Sequence, residues 1–419
     1  MAIEEKTQRG TYELLSGTYS AAAAAMLSRV QVVAAYPITP QSTVVERLSE
    51  YIVRGKLAAK FVPVESEHSA LSVLASASAG GARTFTATAR QGLALMHEVL
   101  HWAGRGRCPI VMAVVTASLG PPPDIGMEQD DAPGQRDTGW MQFYCQTNQE
   151  ILDTIIQAYR IAELVSLPVM VVFDGFIMSH TYEPVFVPDQ EVVDGFLPPR
   201  KTKFKLDPDN PLRFFASPGA VAGAGYNSKL RRRAQDAHEI AKEVVKEVSD
   251  EFYQHFGRRY DIFECYRTED AEVILVAMTS VASMAHEVVD EMRQEGKKVG
   301  LLRVRMFRPF PVQEIAAVLQ NASKIAVIDR NISYGRSGIL ALELKAAMYG
   351  AAKKPPIFGF IGGLAGLSLR MENIRYAMDY TYAHELPENE IVWLGIPPWE
   401  EYRTPEGEIP QPEMPPEEG

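Results

Sequence analysis

Apolar residues fall along this chain in short continuous runs separated by stretches of helical period. The runs at 31–35, 110–116 and 168–174 are rich in Val, Ile and Met, as expected for strands covered on both faces. Helical patterns lie between them at 18–29, 42–54 (closed by Gly55), 67–79, 92–102 and 148–163. This alternation predicts βα units and a doubly wound, mostly parallel sheet over roughly the first 190 residues. From 185 to 227 the pattern breaks into Pro, Asp and Phe without period, and predicts a surface connection. The segment 229–256 reads as one long helix with Ile240, Val244, Val248 and Phe252 on a stripe at i, i+4. A second βα set follows, with strands at 271–278, 299–305, 324–331 and 357–363 and helices at 280–294, 313–319 and 340–349. The last sixteen residues, TPEGEIPQPEMPPEEG, hold five Pro and five Glu and cannot build a core. The expected division is an α/β domain at 1–200, a linker and long helix at 201–258, a second α/β domain at 259–390 and a Pro/Glu-rich tail at 391–419.

Composition narrows the class. With 419 residues, 46% of them hydrophobic, the chain can bury two cores. Its net charge of -11 argues against a nucleic-acid partner, which would require a basic stripe. No apolar run approaches the ~18 residues of a membrane span. The N-terminus, MAIEEKTQRG, lacks the basic-then-apolar order of a leader, so the expectation is a cytoplasmic protein. Cys108, Cys145 and Cys265 are far apart with no C-x-x-C spacing, which leaves no iron–sulfur or zinc site built from these thiolates, and no metal ligands are expected.

Two stretches could carry chemistry. In AAYPITPQST (34–43), Pro37 and Pro40 stiffen the chain around Thr39, between a strand and a helix, where α/β proteins bind ligands. The same prolines also suit an ordinary turn. In VPVESEHSA (62–70), Glu67 stands at the first turn of a helix, where an acid is favoured by the dipole alone. Neither the glycine pairs nor FDGF (173–176) match a phosphate-binding loop.

Six stretches taken together resemble one family: AYPITPQST, VESEHSA, TARQGLALM, QRDTGWMQ, VFDGFIMSH and GLLRVRMFRPFP, in that order. The chain resembles the α subunit of the 2-oxoacid:ferredoxin oxidoreductases over about residues 10–385. The resemblance implies a pyrimidine-type thiamine diphosphate-binding domain followed by a transketolase C-terminal-like domain. Glu67 matches the glutamate at N1′ of the aminopyrimidine, where a carboxylic acid is needed for the C2 proton to be removed. Thr39 matches the threonine that contacts substrate; Pro37, Ile38 and Gln91 fall in the matching cofactor-binding stretches. Coenzyme A is the implied acyl acceptor.

This chain lacks the Gly-Asp-Gly metal–diphosphate motif and the cluster cysteines. The resemblance therefore implies a β subunit supplying Mg²⁺ and the diphosphate site, γ/δ-type ferredoxin-like subunits holding [4Fe-4S] clusters, and a possible flavin subunit reducing NAD, in a multimer of the heteromeric unit. Departures from the family bear on substrate. Ala117, in TASL (116–119), stands where relatives carry a carboxylate-anchoring arginine, and Gly126, in IGMEQDD (125–131), where they carry tryptophan. The run GPPP (120–123) stiffens the same loop. Losing both bulk and charge predicts a pocket for a larger 2-oxoacid, with phenylglyoxylate the leading expectation and pyruvate the alternative. Arg90 and Arg136 are the candidates to replace the lost arginine; Arg136 could equally pair Asp131 or Asp137. A non-catalytic scaffold subunit is the remaining alternative.

Overall fold

The structure, a computed structural model, describes residues 9–120, 124–202 and 225–396. The first half runs β1 (Gly10–Ser16), α1 (Gly17–Leu27), β2 (Val32–Ala34), α2 (Ser42–Val53), β3 (Lys60–Val62), α3 (Glu67–Ala79), β4 (Thr84–Thr88), α4 (Arg90–Leu95), α5 (His97–Arg105), β5 (Val111–Thr116), α6 (Asp131–Gly134), β6 (Met141–Tyr144), α7 (Asn148–Val165), β7 (Val169–Asp174), α8 (Ile177–His180), β8 (Tyr182–Pro188) and α9 (Gln190–Phe196). The long α10 (Tyr226–Phe256) leads to β9 (Phe263–Tyr266), β10 (Val273–Ala277), α11 (Thr279–Gln294), β11 (Val299–Val304), β12 (Met306–Arg308), α12 (Val312–Leu319), β13 (Lys324–Asp329), α13 (Ile339–Met348), β14 (Ile357–Ile361), α14 (Met371–Ala383) and β15 (Val392–Trp393).

Two sheets carry the architecture. The first, seven-stranded, has the order β12-β6-β7-β5-β4-β2-β3, with all but β12 parallel. Alternate side chains of β4 show why both of its faces are covered: Phe85 and Ala87 join the core under α1, α2 and α7, while Thr84, Thr86 and Thr88 face α3. Helix α1 is almost entirely small residues, GTYSAAAAAML, and lies buried between α2 and α7. The second sheet, β15-β14-β13-β10-β11-β9, is parallel except at β9. The core beneath α3 and α5 continues through Trp140, Tyr144 and Phe307 into Ile274, Val276, Leu302 and Leu340 of the second half, so the two halves share one apolar interior.

Buried ion pairs cross the same junction. Arg303 and Arg305 both reach Glu150 at the start of α7, with closest contacts of 2.5 and 3.0 Å. The stretch GLLRVRMFRPFP therefore ties the halves together, and its MFR segment, β12, pairs with β6 at the edge of the first sheet. The Arg308–Pro309 peptide, like Thr39–Pro40, is cis.

Strands β2, β5, β7, β10, β11, β13 and β14 and the mostly parallel pairing are those expected from the hydrophobic runs, and four differences bear on the reading. Residues 182–196 form β8, paired antiparallel with β1, and then α9. Pro184 and Pro188 hid that strand, and both are tolerated because the ribbon has only two strands. The central strand β4, TFTAT, was hidden by its three threonines. The expected helix at 92–102 is two helices that meet at Met96. On α10 the buried stripe is Ala237, Ala241, Val245, Val248, Phe252 and Phe256, while Ile240 is exposed. A strict i, i+4 spacing drifts by about 40° per step on a 3.6-residue helix, so Ile240 and Phe252 cannot share one face. The Pro run at 121–123, the connection at 203–224 and the tail beyond 396 lie outside the described residues.

Candidate functional site

The winding of the first sheet sets the site. From β2 the chain moves outward to β3, returns over the sheet through α3, and enters β4 on the other side of β2. Helix α2 packs on one face and α3 on the other. The loops after β2 and β4 therefore diverge at their carboxyl ends, at a topological switch point where open parallel sheets leave a crevice.

Glu67 opens α3 at this edge. Ser66 caps the helix by accepting from Ser69 N at 3.2 Å, and Glu67 is 6% exposed. Its carboxylate lies against the turn after β4: a Cβ at Gly92 would stand 2.5 Å from Glu67 Oε1 and 2.7 Å from Thr88 Oγ1. Any side chain at 92 would have to displace the acid from this position. Among the described residues none is hydrogen-bonded to that carboxylate, and the Thr88 hydroxyl is buried without a partner. A buried acid with no partner among the described residues, beside an unpaired hydroxyl, leaves hydrogen-bonding capacity for a ligand nitrogen. This fits the aminopyrimidine half of thiamine diphosphate.

The turn that carries Gly92 is strained and pinned. Arg90 has φ +51°, a left-handed conformation rare for a residue with a Cβ. Its N–H donates to Asp131 Oδ2 at 2.7 Å, and its Nε donates to Ser118 O at 3.4 Å. Asp131, fully buried at the start of α6, also accepts from Ala132 N at 2.7 Å, Ala117 N at 3.3 Å and the Thr116 hydroxyl. One carboxylate thereby fixes the turn after β4 and the end of β5. Burial pushes its pKa up to about 6, against the pull of these donors.

Residues 117–120 and 124–131 lie over the same edge. Ala117 is buried and Gly126 half-buried. Gly175, after β7, lies so close that a Cβ there would stand 2.8 Å from the carbonyls of Thr116, Ile125 and Gly126. Glu128 accepts from Ala365 N at 3.0 Å; burial first, then Asp130 and Asp124, push its pKa up to about 7. Thr39 and Gln91 are exposed, Ile38 packs partly on the core, and Pro37 borders a groove of about 850 Å³ between α2 and β3. The structure thus brings Glu67 and the 90–92 turn into contact. It places Arg136 elsewhere: its Nη1 donates to Pro133 O, and its charge faces Glu343 at 3.6 Å and Asp137 at 3.9 Å, not Asp131. Sequence reasoning missed Asp131, Asp174 and Arg330, although burial of an acid at a strand's last residue, as in VMVVFD, is a readable signal. Among the described residues no three His, Cys, Asp or Glu side chains group as metal ligands, and no helix is long and apolar enough to cross a membrane.

The comparisons agree with this geometry. Residues 23–248 match the family described as pyruvate flavodoxin/ferredoxin oxidoreductase, thiamine diphosphate-binding, and residues 271–374 match pyruvate:ferredoxin oxidoreductase core domain II. The chain is 46% identical to the ketoisovalerate oxidoreductase subunit VorA of Pyrococcus horikoshii, over 87% of this chain and 92% of that one. It is 43% identical to the pyruvate synthase subunit PorA of Methanothermobacter thermautotrophicus, over 92% and 98% respectively. In fold it resembles the 2-oxoglutarate:ferredoxin oxidoreductase of Magnetococcus marinus, with a TM-score of 0.69 and 20% identity, covering 88% of this chain and 65% of that one. A split-gene transketolase aligns with a TM-score of 0.51 at 10% identity, covering 87% of this chain and 97% of that one, which supports the thiamine-type domain followed by a transketolase C-terminal-like one. The chain belongs to the 2-oxoacid:ferredoxin oxidoreductases, as an α subunit.

Proposed function

We propose that this α subunit supplies the aminopyrimidine side of a thiamine diphosphate site in a complex that oxidises a 2-oxoacid with coenzyme A to acyl-CoA and carbon dioxide, releasing one proton and passing two electrons, one at a time, to iron–sulfur clusters of partner subunits. The observation that carries this reading is the Glu67 carboxylate held against Gly92 without a hydrogen bond from any described residue. Thiamine diphosphate, when bound, supplies the electron sink for decarboxylation. Glu67 would hold a proton at N1′ of its pyrimidine; Gln91 and Ile38 would border the ring, and Thr39 would meet the substrate's carboxylate or keto oxygen. Asp131 holds the 90–92 turn and Ala117 in place, so it preorganises the site without touching substrate.

The lack of a Gly-Asp-Gly motif and of cluster cysteines in this chain supports β and ferredoxin-like partner subunits, the former holding Mg²⁺ and the diphosphate, the latter [4Fe-4S] clusters. Action inside the cytoplasm follows from the same chemistry, since coenzyme A and ferredoxin-type acceptors are found there. For the substrate, small residues at 117 and 126 and the VorA relatives favour a branched 2-oxoacid such as ketoisovalerate. The relatives are named for ketoisovalerate and pyruvate, and lend no support to phenylglyoxylate. Purified complex assayed with coenzyme A and a viologen dye should prefer ketoisovalerate over pyruvate and phenylglyoxylate. Preference for pyruvate would overturn the substrate assignment, and no turnover of any 2-oxoacid would overturn the reading itself.

A further inference from the structure

The described residues of the loop after β5, 117–120 and 124–131, are gripped from two sides, and the second grip comes from the other half of the chain. Asp131 holds the loop's ends within the first half. Its middle is held at the carboxyl end of β13. Arg330 O accepts from Gln129 N at 2.8 Å. Arg330 Nη1 donates to Asp174 Oδ2 at 2.9 Å and faces Ser280 Oγ at the same distance. Gln129 Nε2 closes the ring, donating to Asp174 Oδ1 at 3.0 Å and to Thr279 Oγ1 at 2.7 Å. Ser280 N and Oγ add donors to Asp174 Oδ2 at 3.1 and 2.5 Å. Thr279 has φ +52°, so the turn that brings these groups to the loop is itself strained. One residue before Gln129, Glu128 is tied to Ala365 N of the second half.

We propose that Arg330 is a positioning residue for the substrate loop, setting the register of residues 125–129 through Gln129 and Asp174. This rests on the reading that the loop borders the 2-oxoacid. An ion pair serving only to join the halves would use its guanidinium fully, as Arg303 and Arg305 do more nearly on Glu150. Arg330 is 1% exposed, yet its Nε and Nη2, the edge that forms a two-pronged contact, are buried without a partner. That edge is left free while Nη1 and the carbonyl oxygen serve the loop. The arrangement places a cation under a loop whose own arginine position is Ala117, with Glu128 of the same loop acting on it electrostatically.

The test uses the assembled complex. Arg330→Gln should raise KM for the 2-oxoacid about tenfold, with kcat within about threefold and thiamine diphosphate affinity unchanged. Arg330→Lys should recover part of that loss, because it keeps the charge and one donor. As a control, Arg258→Gln removes a pair with Asp153 away from the loop, and should lower Tm without moving KM. If Arg330→Gln does not assemble, Gln129→Ala and the charge-neutral double variant Arg330→Gln/Asp174→Asn carry the same KM measurement. Unchanged KM in these variants, with the wild type active, would overturn the inference and leave the functional reading standing. A wild-type complex that oxidises no 2-oxoacid would overturn both.

Discussion

The two parallel sheets end their strands in similar ways and use the ends differently. At the carboxyl edge of the second sheet, Asp329 sits beside Gly338 and accepts from Leu340 N at 2.8 Å and Ala341 N at 3.0 Å. Asn331 takes Ile339 N at 2.9 Å, so the N-terminus of α13 is satisfied by the chain itself. At the carboxyl edge of the first sheet, Glu67 sits beside Gly92 in a like arrangement, yet its carboxylate meets no described donor. Both edges use a glycine to admit an acid. One acid is used by the fold, and on the proposed reading the other is left for the cofactor.

The largest effect should follow from removing the unspent acid. Glu67→Ala in the assembled complex is expected to cut turnover at least about 10³-fold with Tm little changed. The equivalent Asp329→Ala should do the reverse, lowering stability by about 2–4 kcal/mol by stranding two buried N–H groups, with kcat nearly intact in the folded fraction. Equal losses of activity from both would erase the contrast. Gly92→Ala should cost about 10²-fold in kcat while far-UV circular dichroism stays native, since the new Cβ must displace the carboxylate.

Asp131 lies between these extremes because it stabilises and orients at once. Asp131→Ala strands the donors of Arg90, Ala117, Ala132 and Thr116, and should lower unfolding free energy by about 3 kcal/mol in chemical denaturation. Smaller still is the pH effect of Glu128. Its pKa is raised by folding to about 7, so the folded state binds the extra proton and stability falls as pH rises from about 5 through 7. Glu128→Gln should make Tm less dependent on pH across that window. The smallest effect is expected from Arg136→Ala, whose half-exposed ion pairs contribute no more than about 0.5 kcal/mol and whose loss should leave KM unchanged.

Much of the first sheet was legible because strands buried on both faces write themselves as unbroken Val/Ile/Met runs, as VMVVFD does. Strand β4 was not, since its inward threonines follow no hydrophobic pattern, although Thr88 is the one that lies beside Glu67. The acid at 67 could be placed on a helix terminus from SEHSA alone, but its lack of a protein partner is a tertiary fact. The pairing of Asp174 with Arg330 was unreadable for a related reason. They lie 156 residues apart, and only folding shows that each is the other's counter-charge. The long helix shows a milder failure, where an i, i+4 stripe tracked the right segment and the wrong starting residue.

The central claim is that Glu67 serves the cofactor's pyrimidine and not the fold. It is tested most directly by the rate at which the C2 proton of thiamine diphosphate exchanges with D₂O in the assembled complex carrying Glu67→Gln. The account predicts exchange slowed by at least about 10²-fold, with cofactor bound and Tm near that of the wild type. Exchange at the wild-type rate would contradict it.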